Sequence, residues 1–110
     1  MRSIYLFNIQ NTNIYKIGFT RKKPNLRLEA LQTGNPFEII YVNHYETERA
    51  TQIESVLHRR YAHKKVVDDF TGLKGEWFNL EPDDVLKFLE NCKKIDDNFE
   101  FLENSSTLYD

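Results

Sequence analysis

Two alternating segments, separated by a polar turn, constrain this chain more than anything else in it. "SIYLFNI" (residues 3–9) and "IYKIGFT" (14–20) are rich in β-branched and aromatic residues and are joined by the Asn-rich "QNTN". That pattern predicts a β-hairpin. Side chains in a strand have a period of two, so Tyr15, Ile17 and Phe19 share one face of the second segment, and Lys16, Gly18 and Thr20 share the other. The first set reads as core. The second puts a cation beside a residue with no side chain, which core packing does not require.

With 110 residues, 40% of them hydrophobic and 29% charged, the chain can build one domain around one core. No apolar run reaches the roughly 20 residues needed to cross a bilayer, and the start has no secretory pattern. The expectation is a soluble, intracellular, cytoplasmic protein without a membrane partner. The single cysteine, Cys92, excludes an internal disulfide and a Cys-based zinc site and reads as helix packing. Residues 1–80 hold 12 Lys and Arg against 8 Asp and Glu; residues 81–110 hold 3 against 9. A mildly basic body with an acidic tail is compatible with nucleic acid but lacks a strong electrostatic footprint.

Further along, "RKKP" leads to a helix starting near Asn25, with Leu28 and Leu31 inward and an end at Gly34. "FEIIYVNHY" is apolar on both faces and reads as the sheet centre. A long helix from about Thr47 carries Ala50, Ile53, Leu57 and Tyr61 at the spacing of a buried stripe. "VVDDFTGLKG" reads as a loop and "EWFNL" as a short strand or extended segment, with Trp77 and Phe78 as core anchors. Pro82 opens a last helix with Val85, Leu89 and Cys92 inward and Lys93 and Lys94 near its C-terminus. "FLENSSTLYD" reads as a loose tail.

Five positions could carry chemistry: Tyr5, Lys16, Arg27, Glu54 and His58. Glu54 and His58, at i and i+4, share a helix face next to the buried stripe. They either hydrogen-bond each other at the surface or face a site at the core edge. Singly, Lys16 reads as a solvated strand residue, Tyr5 as a packed aromatic and Arg27 as a surface cation.

Together these residues resemble a known set. "SIY" ahead of "YKIG", followed by "RLEALQTGNP", "IESVLH" and "GEWFNL", is similar to the GIY-YIG endonuclease superfamily. The similarity is to its phage-type branch, which includes the meiotically up-regulated nuclease-like proteins, and it runs from about Ser3 to Leu80. The resemblance implies an α/β (α+β) fold: a small, mainly antiparallel three-stranded sheet flanked by helices, forming a nuclease domain over 1–80. An extra C-terminal helix and acidic tail over 81–110 pack on the same domain.

The resemblance also implies roles. Tyr5 matches the first-motif tyrosine, placed to receive the proton of an attacking water, and Gly18 the second-motif glycine, letting a phosphate backbone approach the strand. Counting back puts Lys16, not Tyr15, at the second-motif tyrosine. Arg27 matches the helix arginine, Glu54 the glutamate that holds Mg²⁺ or Mn²⁺, and His58 the histidine of this branch; Glu76 and Asn79 both stand for a late asparagine. Arg21, Lys22, Lys23 and Arg59 are read as contacts to the backbone of duplex or branched DNA. An anionic tyrosine at pH 7 costs roughly 4 kcal/mol, and one cation at about 4 Å offsets roughly as much; Lys16 is the expected partner. The implied activity is metal-dependent hydrolysis of DNA phosphodiesters by a monomer or weak homodimer, with a protein partner as one source of targeting. The alternatives are a silent nucleic-acid-binding or protein-interaction module, and an acidic interaction protein working through residues 81–110.

Overall fold

The computed structural model describes residues 1–66 and 76–109, with side chains up to residue 105. In it the two alternating segments pair as β1 (Ser3–Ile9) and β2 (Ile14–Thr20), antiparallel, with Tyr5 opposite Gly18 and Phe7 opposite Lys16. Polar side chains close the turn. Thr12 Oγ1 donates to the Ile9 carbonyl at 2.7 Å, and Asn8 Nδ2 donates to the carbonyls of Thr12 and Ile14, both at 3.0 Å. Asn11 takes φ 61°, a left-handed conformation that asparagine tolerates better than most residues.

Two more strands complete the sheet, four in all among the described residues rather than three. β3 (Ile39–Glu46) pairs with β1, and β4 (Trp77–Asn79) with only the first three residues of β2, giving the order β3-β1-β2-β4. The hairpin is therefore the sheet centre. β3, read as central from its apolar run, is an edge strand whose Ile40 and Tyr41 are 37% and 44% exposed. A register shift at Leu6/Phe7 leaves Val42 as an extra residue, so a bulge breaks the alternation which that reading assumed.

Helix α1 (Pro24–Gln32) begins at the proline, whose fixed φ suits a first helical position, rather than behind an Asn25 cap. It ends before Gly34, which takes φ 80°. The Gln32 side-chain amide then bridges to β3, donating to the Phe37 carbonyl at 2.9 Å and accepting the Ile39 N–H at 2.7 Å. Helix α2 (Ala50–Arg60) follows a turn in which Thr47 Oγ1 accepts the Arg49 N–H at 3.1 Å. Its stripe is buried as the spacing requires: Ala50, Ile53 and Leu57, with Tyr61 just beyond. The segment 67–75, read as a loop, lies outside the described residues.

Both faces of the hairpin are covered. Ile4, Leu6 and Ile17 pack with Ile53, Leu57 and Phe78 on the α2 side, whereas Tyr5, Phe7 and Ile9 pack with Ile39, Trp77, Leu28 and Leu31 on the α1 side. Lys16 and Gly18 thus sit on a buried face, not a solvated one.

The C-terminal segment differs most from its sequence reading. It forms a short helix α3 (Pro82–Leu86), capped reciprocally by Glu81 and Asp84, and then α4 (Phe88–Tyr109), which runs through the expected loose tail. Phe88, Cys92 and Ile95 turn inward while Leu89 is exposed. Burial pushes the Cys92 thiol up to about 12, which suits packing rather than reactivity. Lys93 and Lys94, mid-helix, pair with Asp97 and Glu90 one turn away. The polar composition of 96–105 concealed its tether: Arg49 binds Asp96 at 2.9 Å and Glu103 at 2.8 Å, and Tyr45 donates to Asp96 at 2.8 Å. No helix among the described residues is long and apolar enough to cross a membrane.

Burial raises the Asp96 carboxyl, but hydrogen bonds from Tyr45 and Arg49 outweigh this and hold it below the usual carboxylate range. Its stabilising effect is therefore full above about pH 3.8, its ordinary value, and is lost as pH falls through the lower folded value. Asp96→Ala should cost about 1–3 kcal/mol at neutral pH in urea unfolding. Its deficit relative to wild type should close in acid, and a deficit equal at neutral and strongly acid pH contradicts this assignment.

Candidate functional site

β4 stops pairing at Lys16, so from Ile17 onward the outer edge of β2 lacks a strand neighbour among the described residues. α2 fills that position. His58 Nε2 lies 2.6 Å from the Ile17 carbonyl, and because a carbonyl only accepts, Nε2 must carry a proton. The other ring nitrogen, Nδ1, contacts the Glu76 carboxylate just ahead of β4, and Glu54 lies 4.0 Å from the same nitrogen. Lys65 reaches Glu76 at 3.6 Å. His58 is thus gripped on both nitrogens and braces α2 against the sheet edge, which brings Glu54, one turn earlier, to the edge of the Tyr5 face.

There the structure encloses a cleft of about 260 Å³ whose wall includes Tyr5, Lys16, Gly18, Arg27, Glu54 and His58, along with Glu76. All five positions singled out for chemistry line it, together with Glu76. Asn79, the other candidate for the late position, is exposed on β4 and does not line the cleft. Tyr15 packs on the opposite, α2-side core. Arg21 and Lys22 line an adjoining hollow of about 710 Å³ that shares Phe19 and Arg27 with the cleft, and Lys23 lines a third beyond it. Arg59 is exposed on α2 and lines none of the three.

Tyr5 is buried, stacked on Phe7 with ring centroids 4.2 Å apart and planes at 21°. A Cβ at position 18 would lie 2.5 Å from Tyr5 Cζ and nearer still to the hydroxyl, so the missing side chain of Gly18 is the space the phenol occupies. The glycine makes room for Tyr5 first, and its backbone still lines the cleft. Burial raises the Tyr5 pKa above its ordinary value, opposed by a hydrogen bond and charge from Arg27, while Glu54 adds to the rise. Arg27, rather than the expected Lys16, is therefore the cation that favours the phenolate.

Lys16 lies opposite Phe7 and Trp77 in the two ladders, with its ammonium 5.5 Å from the Trp77 ring centroid. It is 7% exposed, and burial followed by repulsion from Arg27 lowers its pKa, against the pull of Glu54 and Glu76. What sequence reasoning missed was the division of labour between the two cations. The available signal was the register, which puts Lys16 two residues along from the position facing Tyr5.

Among the described residues no group of three or more His, Cys, Asp or Glu side chains is arranged to hold a metal ion. Glu54 is partly exposed on the cleft wall and has only the long 4.0 Å approach to His58, while Glu76 is engaged more closely, with His58 and with Lys65. One carboxylate in a wet cleft fits a hard cation that keeps its waters and draws further oxygens from a phosphate, as Mg²⁺ does. It does not fit zinc, which takes a nearly complete set of protein ligands.

Residues 2–93 match the T5orf172 domain model. The chain belongs to the T5orf172 domain family. No curated protein and no solved structure matches it. The T5orf172 family is linked to nuclease-type proteins, which gives the chain a nuclease-like or nucleic-acid-related role in general terms. The T5orf172 match includes every element that lines the cleft and the first turns of α4.

Gly18→Ala should force the Tyr5 ring aside and cost about 1–3 kcal/mol. Combined with Tyr5→Ala, it should cost clearly less than the sum of the two single changes, because the clash is then gone. Additive losses in thermal unfolding would mean that the ring does not depend on the glycine.

Proposed function

We propose that this protein is a metal-dependent DNA endonuclease of the GIY-YIG type, hydrolysing phosphodiester bonds in the cleft between β2, α1 and α2. The supporting observation is the convergence of a phenol, an amine, a guanidinium, a carboxylate and an imidazole from four elements, β1, β2, α1 and α2, on one small concave patch.

Each group has a task that its surroundings suit. Arg27, exposed at the mouth, grips the scissile phosphate and stabilises the charge that builds on its oxygens. Tyr5 accepts the proton of the attacking water. Burial opposes the phenolate, so Arg27 is needed for a second reason, as the cation that favours it. Lys16 adds positive charge deep in the cleft, where burial makes that charge act over a short range with little screening. Glu54 holds the Mg²⁺ or Mn²⁺, which supplies Lewis-acid stabilisation of phosphate charge. His58 acts as a positioning residue, fixing Glu54 through its bonds to the Ile17 carbonyl and Glu76. The departing oxygen takes its proton from solvent in the open cleft.

The second reading is a nucleic-acid-binding module that does not cleave. The raised Tyr5 pKa favours it, since a phenol that stays neutral cannot accept the water's proton.

Nicking of supercoiled plasmid with Mg²⁺ or Mn²⁺ separates the two. Wild type should nick, Glu54→Ala should lose all metal-dependent nicking with its fold intact, and Tyr5→Phe should lose nearly as much. The wild-type rate should rise with pH, because the phenolate is the active form and its pKa lies above neutrality. Arg27→Ala should raise that pKa further and move the rise to higher pH. No cleavage by wild type of plasmid, single-stranded or branched DNA with either metal, or Glu54→Ala nicking as wild type does, overturns the endonuclease reading.

A further inference from the structure

Phe19 is the one aromatic residue of the hairpin that packs into neither apolar cluster of the described residues, although Tyr5, Phe7 and Tyr15 all do. It is half-buried, one residue past Gly18 on the part of β2 that β4 leaves uncovered. It lines both the cleft and the adjoining basic hollow, and its side chain leaves the sheet opposite Ile4, on the α2 side from which Glu54 and His58 reach the cleft. The guanidinium of Arg21, an exposed residue, lies over its ring, 5.9 Å from the centroid. A ring that receives a planar cation from solvent has a face open to planar groups.

We propose that Phe19 is a stacking platform for an unpaired base next to the scissile phosphate, so that the preferred substrate is single-stranded DNA or DNA with an unpaired nucleotide at the cleavage point. This deepens the endonuclease reading and rests on it for the position of the phosphate. A base in a duplex is stacked on both sides and cannot offer its face to a side chain, whereas a single strand can splay its bases onto aromatic rings while its backbone follows a cationic groove. The arrangement here has both parts: an aromatic ring at the edge of β2 that borders the cleft, and Arg21 and Lys22 in the hollow that adjoins it. When the base arrives, Arg21 leaves the ring for the neighbouring phosphate. The modest overall charge agrees with this, because stacking replaces part of the affinity that a duplex binder draws from phosphate contacts alone.

The test measures fluorescence anisotropy with a labelled single strand and with a hairpin duplex of the same composition, in EDTA so that nothing is cut, alongside plasmid and single-strand cleavage with Mn²⁺. Wild type should bind the single strand more tightly than the duplex. Phe19→Leu should weaken single-strand binding about tenfold with duplex binding and melting temperature little changed, and Phe19→Tyr, which keeps the ring, should restore it. If Phe19→Leu binds the single strand as wild type does, or weakens both ligands together with its melting temperature, the platform is wrong even where wild type cleaves DNA. If wild type cleaves nothing but Phe19→Leu still loses single-strand binding, the hydrolytic reading fails and the platform stands. Wild type that binds neither ligand overturns both.

Discussion

Everything at the cleft depends on one pairing: Tyr5 facing Gly18 across the central ladder. Any other residue at 18 would put a Cβ inside the phenol, so the register of the hairpin and the position of the tyrosine are a single constraint. The consequence is electrostatic as well as steric. Lying flat over backbone and stacked on Phe7, the ring is withdrawn from water, and only the mouth of the cleft remains for a cation to reach its hydroxyl. Arg27 on α1 occupies that mouth, and this makes the placement of α1 part of the chemistry. The helix is fastened at its far end by the Gln32 amide, which bonds to the start of β3.

The shortness of β4 supplies the second half of the site. A full-length fourth strand would pair with the Ile17 carbonyl and close the edge. Because the ladder stops at Lys16, that carbonyl accepts from His58 instead, and α2 can lean over the edge far enough to present Glu54. Glu76, directly before β4, completes the brace from the other side. The cleft is therefore where, among the described residues, β4 leaves the edge of β2 unpaired, and the polar groups that satisfy the edge also line the cavity. Away from it, the acidic C-terminal helix is part of the body: Phe88, Cys92 and Ile95 enter the α2-side core and Arg49 anchors the outer turns.

How much of this was legible in the sequence follows from the range of the interactions. The hairpin, the buried stripe of α2 and the stop at Gly34 are local and periodic, and the residues announce them. The grouping of Tyr5, Lys16, Arg27, Glu54 and His58 was legible through motif order, while their roles remain a proposal. Three features were not legible, each for a physical reason. β3 is an edge because it pairs with β1 alone, and the bulge at Val42 disguised this, since one inserted residue reverses face parity and spreads apolar residues over both faces of the strand. The long α4 is held by ion pairs to Arg49 some fifty positions away in sequence, which no local pattern reveals. The choice of Arg27 over Lys16 as the cation beside Tyr5 depends on how a helix crosses a sheet, a distance that strand register alone bounds but does not give.

The central claim is that Glu54 faces a wet, phosphate-sized space shared with Tyr5 and Arg27. A crystal soaked in Mn²⁺ tests it most directly, through the anomalous signal of the ion. The account predicts one strong peak at the Glu54 carboxylate, within the cleft and otherwise surrounded by water, that disappears in Glu54→Ala crystals. A peak held elsewhere on the molecule, or a cleft that stays empty at high Mn²⁺, would contradict it.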